Sequence, residues 1–199
     1  MKHQNLLDQY PAVAQQLSSY AHWLETEGVI RGLIGPREVD RIWDRHLANC
    51  AAVAELIPAR AKVIDIGSGA GLPGLVLAII RPDCAVTLVE PLLRRSEFLQ
   101  EVASDLGLAN VAVLRARAEQ VTEQAQVVTA RAVAPLAKLL GLAMPLVAPG
   151  GELLAMKGSN AAGEIEQAAE ELKGLYAQIC QAGQGLVYPP TTVVRVVRN

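Results

Sequence analysis

From residue 62 onward the chain alternates between two hydrophobic periods, and that alternation constrains the fold more than any other feature. Short β-rich runs (KVIDI, AVTLVE, VAVL, VVTA, GELLAM and TTVVRVV) are separated by the longer stretches LPGLVLAIIR, LLRRSEFLQEVASDLGL, APLAKLLGLAMPLV and AAGEIEQAAEELKGLYAQI. The longer stretches predict helices; in the second, Phe98, Leu99, Val102 and Leu106 share one face. Strands alternating with helices build βαβ units, which require a mainly parallel sheet covered on both faces. Near-continuous apolar strands such as VVTA suit burial on both sides. The final LVYPPTTVVRVVRN is expected to hold two short strands around Pro189 and Pro190, paired antiparallel because their link is so short. The expected class is therefore α/β, Rossmann-like, with a mainly parallel sheet ending in an antiparallel hairpin.

The first sixty residues predict N-terminal helices. Val13, Leu17, Tyr20 and Leu24 recur at helical spacing until Gly28 and Gly32. A second helix is expected after Gly35, with Pro36 in its first turn and an apolar stripe of Val39, Ile42, Trp43, Leu47, Cys50, Val53 and Ile57. The opposite face carries Arg37, Arg41, Asp44 and Arg45. The expected division is a helical extension over 1–59, packed on a Rossmann-like domain over 60–199. The start, MKHQNLLDQYP, lacks the apolar core of a signal peptide, and Lys138, Pro145 and Pro149 interrupt the most apolar later stretch. No membrane contact and a cytoplasmic setting are expected. Cys50, Cys84 and Cys180 are far apart and form no metal-ligand spacing, so no metal is expected. A formal net charge of -2 excludes a protein held on nucleic acid by bulk charge alone.

The junction after the first strand, VIDIGSGAGLPGLVLAII, holds four glycines between residues 67 and 74. Glycine is entropically costly, so a ligand approaching the backbone at a helix start is the natural explanation. Tight strand-to-helix packing is the alternative. Glu90 closes the second strand about twenty residues on, where an acid holds a ribose diol. Two registers coexist. Gly69, Gly71 and Gly74 satisfy GxGxxG, the dinucleotide fingerprint, whereas Asp65, Gly67, Gly69 and Gly71 form D-x-G-x-G-x-G. The second register starts where the strand stops and resembles the S-adenosylmethionine loop of class I methyltransferases. Carboxylates beside the loop suit a ligand bearing an ammonium and a sulfonium, and would repel a pyrophosphate. No Gly-Lys-Ser/Thr follows, which excludes a Walker A site.

Asp65, Glu90, Arg131 and Lys157 all fall near the carboxyl ends of strands, where open parallel sheets bind ligands. The short apolar neighbours in TARAVAPL favour a role for Arg131, while Lys157 reads equally well as a solvated charge. Glu119 suits an adenine amino group, or simply the first turn of a helix. After the fourth strand the chain reads Ala130-Arg131-Ala132-Val133-Ala134-Pro135, not the Asp/Asn-Pro-Pro-aromatic run of adenine amino-methyltransferases. Cys84 lies away from the carboxyl edge, so no cysteine is placed for attack on a pyrimidine ring. An acceptor that is already nucleophilic, such as guanine N7, needs orientation more than acid–base help. No general acid or base is assigned.

The chain closely resembles the bacterial 16S rRNA (guanine-N7) methyltransferase family, known as RsmG or GidB (glucose-inhibited division protein B), over nearly its whole length. The resemblance rests on WDRHLANC, VIDIGSGAGLPGLVLAIIRP, VTLVEPLLRRSEFLQEV, RARAEQV, VVTARAVAPL, GGELLAMKG and VVRVVR. It implies a class I S-adenosylmethionine-dependent methyltransferase that modifies a guanine N7 in the decoding-region loop of 16S rRNA and releases S-adenosylhomocysteine. It also implies that Gly67, Leu72, Ala118, Glu119 and Arg131 line the cofactor site. Two positions depart from the family: Asn49-Cys50 stands where many members have Asp-Ser, and Glu90 where Asp is frequent.

The expected partner is 16S rRNA or the small ribosomal subunit, met by a monomer. Residues 31 to 62 hold six Lys/Arg against four Asp/Glu in an otherwise acidic chain. Arg41 and Arg45 are therefore expected to join Arg94, Arg95 and Lys157 in a basic surface beside the cleft. The alternative is a helix laced with salt bridges, since Arg41 and Arg45 flank Asp44. A nicotinamide-dependent oxidoreductase, a small-molecule methyltransferase and a non-catalytic cofactor-binding module remain as competing functions.

Overall fold

The computed structural model describes residues 2–198. Among the described residues one sheet contains β1 (Lys62–Ile66), β2 (Ala85–Val89), β3 (Val111–Leu114), β4 (Ala125–Arg131), β5 (Val147–Met156), β6 (Tyr176–Ala182) and β7 (Thr191–Val197). The strand order is β3-β2-β1-β4-β5-β7-β6. The first five strands run parallel, and β7 is antiparallel to both β5 and β6. The order reverses between β1 and β4, creating a crevice at their carboxyl ends.

The helices are α1 (Lys2–Gln9), α2 (Ala14–Trp23), α3 (Ala48–Ala52), α4 (Gly74–Ile80), α5 (Leu93–Asp105), α6 (Leu136–Ala143) and α7 (Ala161–Gln167). Side-chain alternation along each strand feeds two cores. Val63 of β1 joins Leu17, Tyr20, Leu75 and Phe98 on one face, while Ile64 and Ile66 join Leu136, Leu139 and Leu140 on the other.

The N-terminal helices are sewn to the loop after β1. Tyr20 is fully buried, and its hydroxyl donates to the Ala70 carbonyl at 2.7 Å. Tyr20→Phe leaves that carbonyl unpaired, and should cost about 1–3 kcal/mol in a urea titration; an unchanged midpoint would show that the contact contributes nothing.

Two local expectations are corrected. The helix expected through AAGEIEQAAEELKGLYAQI ends at Gln167, and its last residues form β6 instead. The apolar spacing suits a helix, but β7 offers an edge that pairs every residue from Tyr176↔Val197 to Ala182↔Thr191. A full backbone ladder overrides a local helical pattern. The antiparallel hairpin expected at the end of the sheet is β6–β7, joined through a connection that includes Pro189 and Pro190; its first strand lies earlier than expected, at Tyr176–Ala182, and Leu186 and Val187 lie in the connection. The second expected helix is also segmented. It runs as a 3-10 turn (Pro36–Arg41), a π-helical stretch (Ile42–Leu47), α3, and another 3-10 turn (Val53–Leu56). The wider π turn lets Ile42, His46 and Leu47 all face inward.

Candidate active site at the carboxyl edge of the sheet

The loop after β1 contains three left-handed glycines in alternation, Gly67 (φ +64), Gly69 (φ +58) and Gly71 (φ +96). Only glycine adopts these angles without strain. The amides of Gly67 and Ser68 donate to the Val89 carbonyl at the end of β2. A Cβ on Gly67 would lie 2.8 Å from Val133, on Gly71 2.3 Å from Leu75, and on Gly74 2.2 Å from Leu88. At Gly69 the nearest atom is the Gly67 carbonyl oxygen at 3.8 Å. Three of the four glycines are therefore demanded by packing as well, and Gly69 alone faces open space.

Asp65 lies beneath this loop and presents no surface to the crevice. Its Oδ1 accepts from the Thr129 hydroxyl at 3.0 Å and its Oδ2 from the Gly74 amide at 3.1 Å. Burial pushes its carboxyl up to about 6, against the hydrogen bonds that favour the charge. Asp65 thus fastens the far end of the loop to the sheet, a different place from the ligand contact expected of it.

Glu90, also buried, receives the Gly69 amide on Oε2 and the Leu92 amide on Oε1, both at 3.0 Å. A carboxylate has about four acceptor positions, so capacity remains for two hydroxyls. Ala118 and Glu119 sit on a 3-10 turn (Ala118–Gln120) after β3, with Glu119 exposed, and Leu72 is nearly buried.

Arg131 ends β4, one residue beyond the Ile66↔Ala130 pair, which sets it beside the start of the loop. Its Nη2 donates to His46 Nδ1 at 2.5 Å and its Nη1 to the Cys50 sulfur at 3.3 Å. With Nδ1 accepting, Nε2–H of His46 donates to Glu38 at 3.1 Å, and Glu38 also receives Arg45 at 3.0 Å. A chain of polar contacts thus joins the end of β4 to the surface of the N-terminal helices. The next residue, Ala132, is held at φ +55, unusual for a non-glycine. Sequence reasoning missed Glu38 and placed Cys50 on the apolar stripe. The i, i+4 spacing of His46 and Cys50 in RHLANC was the available signal, but it does not identify a partner eighty residues away.

Burial, followed by the Arg131 charge, holds the His46 imidazolium down at about 4. Stabilisation from neutral His46 is complete above the unfolded value of 6.5 and is lost as pH falls through 4. Asp65 works in the opposite sense, since its raised folded value favours the native state below 3.8 and that benefit disappears as pH rises through 6. The stability difference between wild type and His46→Gln isolates the histidine. It should shrink by up to about 3 kcal/mol between pH 7 and pH 4; a constant difference would rule out the assigned protonation.

The expected basic surface is divided. Arg41, Arg45 and Arg131 line a groove of about 1700 Å³ that also reaches Lys157 and Tyr188. Arg94 and Arg95 are exposed on the first turn of α5, outside that lining, because β2 lies across β1 from β4. The Lys157 ammonium is turned inward, donating to the Ala134 carbonyl at 2.8 Å and to Glu164 at 2.7 Å. Glu164 also accepts the Leu136 amide at 2.8 Å, so Lys157 clamps the segment after Arg131 instead of facing a phosphate. The departures at 49 and 50 both make tertiary contacts: Asn49 accepts from the Thr191 hydroxyl at 2.7 Å, and Cys50 receives Arg131. Among the described residues no group of three or more His, Cys, Asp or Glu is placed to hold a metal, and no helix is long and apolar enough to cross a membrane.

Comparison with known proteins adds three findings. A family model for GidB, rRNA small subunit methyltransferase G, matches residues 13–182. Proteins called ribosomal RNA small subunit methyltransferase G are 59% identical over 182 residues in Thermobifida fusca (89% of this chain, 77% of that protein) and 53% identical over 193 residues in Salinispora tropica (91% and 80%). Among solved structures, a ribosomal protein L11 methylase from Lactobacillus delbrueckii superposes with a TM-score of 0.57 at 16% identity, covering 77% of each chain. A SAM-dependent O-methyltransferase from Thermotoga maritima superposes with a TM-score of 0.54 at 13% identity, covering 75% of this chain and 64% of that one. At these identities the likeness is one of fold, and it is the class I, Rossmann-like fold expected from the sequence.

Proposed function

The chain belongs to the rRNA small subunit methyltransferase G family, and from that premise we propose that it transfers a methyl group from S-adenosylmethionine to N7 of one guanine in the decoding-region loop of 16S rRNA. The observation that carries the choice of donor is Gly69, the one loop glycine whose Cβ position is open, with its amide on Glu90. Gly67, Gly69 and Gly71 bend the backbone, while Gly74 is filled by Leu88 and Asp65 beneath the helix. In the dinucleotide register the glycine that a ligand approaches would be Gly71, whose Cβ position is filled by Leu75 and Tyr20, while the open glycine is Gly69, at the centre of D-x-G-x-G-x-G, and this supports the second register.

The donor supplies an electrophilic methyl on a sulfonium. Gly67, Gly69, Gly71 and Leu72 would bed its methionine end, Glu90 its ribose hydroxyls, and Ala118 with Glu119 its adenine. Asp65 serves these indirectly by holding the loop. Guanine N7 brings its own lone pair and has no proton to lose, so the residues here need only orient two reactants. Arg131 is held by His46 and Cys50 in one pose. Positive charge moves from sulfur to the purine as the bond forms, so a guanidinium there acts by positioning, not by neutralising charge.

In this scheme residues 1–59 form an extension that places Arg41 and Arg45 beside the acceptor, and 60–199 form the transferase domain. The test is transfer of labelled methyl to small subunits lacking the modification, with naked 16S rRNA in parallel. Label mapped to a single guanine N7 is the expected result. Cofactor binding without label on either substrate would overturn the proposal.

A further inference from the structure

Resting on the rRNA reading above, we propose that Tyr188 is a stacking platform for an unpaired base of the RNA, at the mouth of the groove where Arg41 and Arg45 meet the adjoining phosphates. Tyr188 is 97% exposed. The other aromatic side chains are engaged in the protein to a greater degree. Tyr20 and Phe98 are buried, Trp23 donates to Asp105 and packs edge-on to Phe98, and the Tyr176 hydroxyl donates to Gln178.

The connection between β6 and β7 holds Tyr188 out on an anchored backbone. Gly183 donates its amide to Glu55 at 2.9 Å, and its carbonyl accepts the amides of Leu186 and Val187, both at 3.0 Å. Asn5 donates to the carbonyls of Gly185 and Leu186 at 3.1 and 3.3 Å. Pro189 and Pro190 follow at once and restrict the backbone dihedrals on the far side. An aromatic ring on a restrained backbone loses little freedom on binding, which is the requirement for a recognition contact.

The electrostatics of the groove favour an RNA strand held partly by stacking. The Arg41 and Arg45 side chains are 58% and 51% exposed, and they share one carboxylate, Glu38. Asp40 and Asp44 line the same groove, and the whole chain carries a formal net charge of -2. Two arginines among acids cannot supply affinity by counterion release alone. Base–aromatic stacking adds affinity that does not depend on salt and tolerates any base.

Methyl transfer to small subunits and binding of a decoding-region RNA oligonucleotide are measured across a salt series, using the full chain. Tyr188→Ala is expected to raise KM for the subunit and Kd for the oligonucleotide about tenfold. Tyr188→Phe and Tyr188→Trp should stay close to wild type. S-adenosylmethionine affinity and melting temperature are the folding controls. The salt slope should be unchanged in Tyr188→Ala and shallower by roughly 1.4 in the Arg41→Gln, Arg45→Gln double variant, at about 0.7 per phosphate.

Wild-type KM and Kd in Tyr188→Ala overturn the proposal, as does a Tyr188→Phe defect equal to that of alanine, which would mean a hydroxyl contact and not stacking. A wild-type chain that methylates no rRNA removes the functional reading itself, and the stacking role with it. A chain that methylates normally while Tyr188→Ala is silent removes only the latter.

Discussion

Gly69→Val is expected to fold normally and to lose affinity for S-adenosylmethionine by on the order of a hundredfold or more, about 3 kcal/mol. The backbone at Gly69 is left-handed at φ +58, which costs a side chain roughly 1–2 kcal/mol. Its Cβ meets nothing closer than 3.8 Å, so packing adds no further penalty. The isopropyl group then stands in the space above the loop. The neighbouring glycines provide the contrast. A Cβ at Gly74 would fall 2.2 Å from Leu88 and 2.7 Å from a buried Asp65 oxygen, and at Gly71 2.3 Å from Leu75 and 2.9 Å from the Tyr20 hydroxyl. Valine at either should prevent folding instead of blocking a ligand. Calorimetric titration beside a thermal melt separates the two outcomes. Wild-type affinity in folded Gly69→Val would mean that the donor does not lie on this loop.

Arg131→Ala is expected to fold, to bind the donor more weakly, and to lower methyl transfer on the order of a hundredfold, the scale on which a small misplacement of reactants slows a reaction that depends on orientation. Arg131→Lys should recover little. The guanidinium uses two nitrogens at once, one on His46 and one on Cys50. A lysine ammonium on a flexible stem cannot reproduce that fork. His46→Gln should be milder, because the amide oxygen still accepts a hydrogen bond. Single-turnover rates on small subunits decide the matter. A near-wild-type rate in Arg131→Ala would remove this residue from the site, and with it the significance of the chain of contacts reaching Glu38.

Glu90 and Lys157 show how differently two strand-end residues can be read from sequence. Both were expected near the carboxyl edge, and both lie there. Glu90 follows from its distance to the glycine loop, because parallel pairing of β1 with β2 brings Val89 beside Ile66 and so brings the acid to Gly69. Lys157 depends on Glu164, seven residues on, and on Ala134, in a different connection. Nothing in KGSNAAGE distinguishes an inward ammonium from a solvated one. The expected basic surface is split for a related reason: Arg41 and Arg45 line the groove because the N-terminal segment packs there, while Arg94 and Arg95 follow β2, on the other side of β1 from β4.

Legible in the sequence were the α/β class, the glycine loop at the end of the first strand and the acid that faces it. These depend on local periodicity, on left-handed angles that only glycine adopts cheaply, and on spacing along adjacent strands. Contacts across the fold make Tyr176–Ala182 a strand, seat Arg131 on His46 and Cys50, and leave Tyr188 exposed at the edge of a groove. Those outcomes are set by partners 81 and 85 residues apart in the Arg131 contacts, and by a free sheet edge in the case of β6. Local pattern carries no information about which distant group will be there to complete a hydrogen bond.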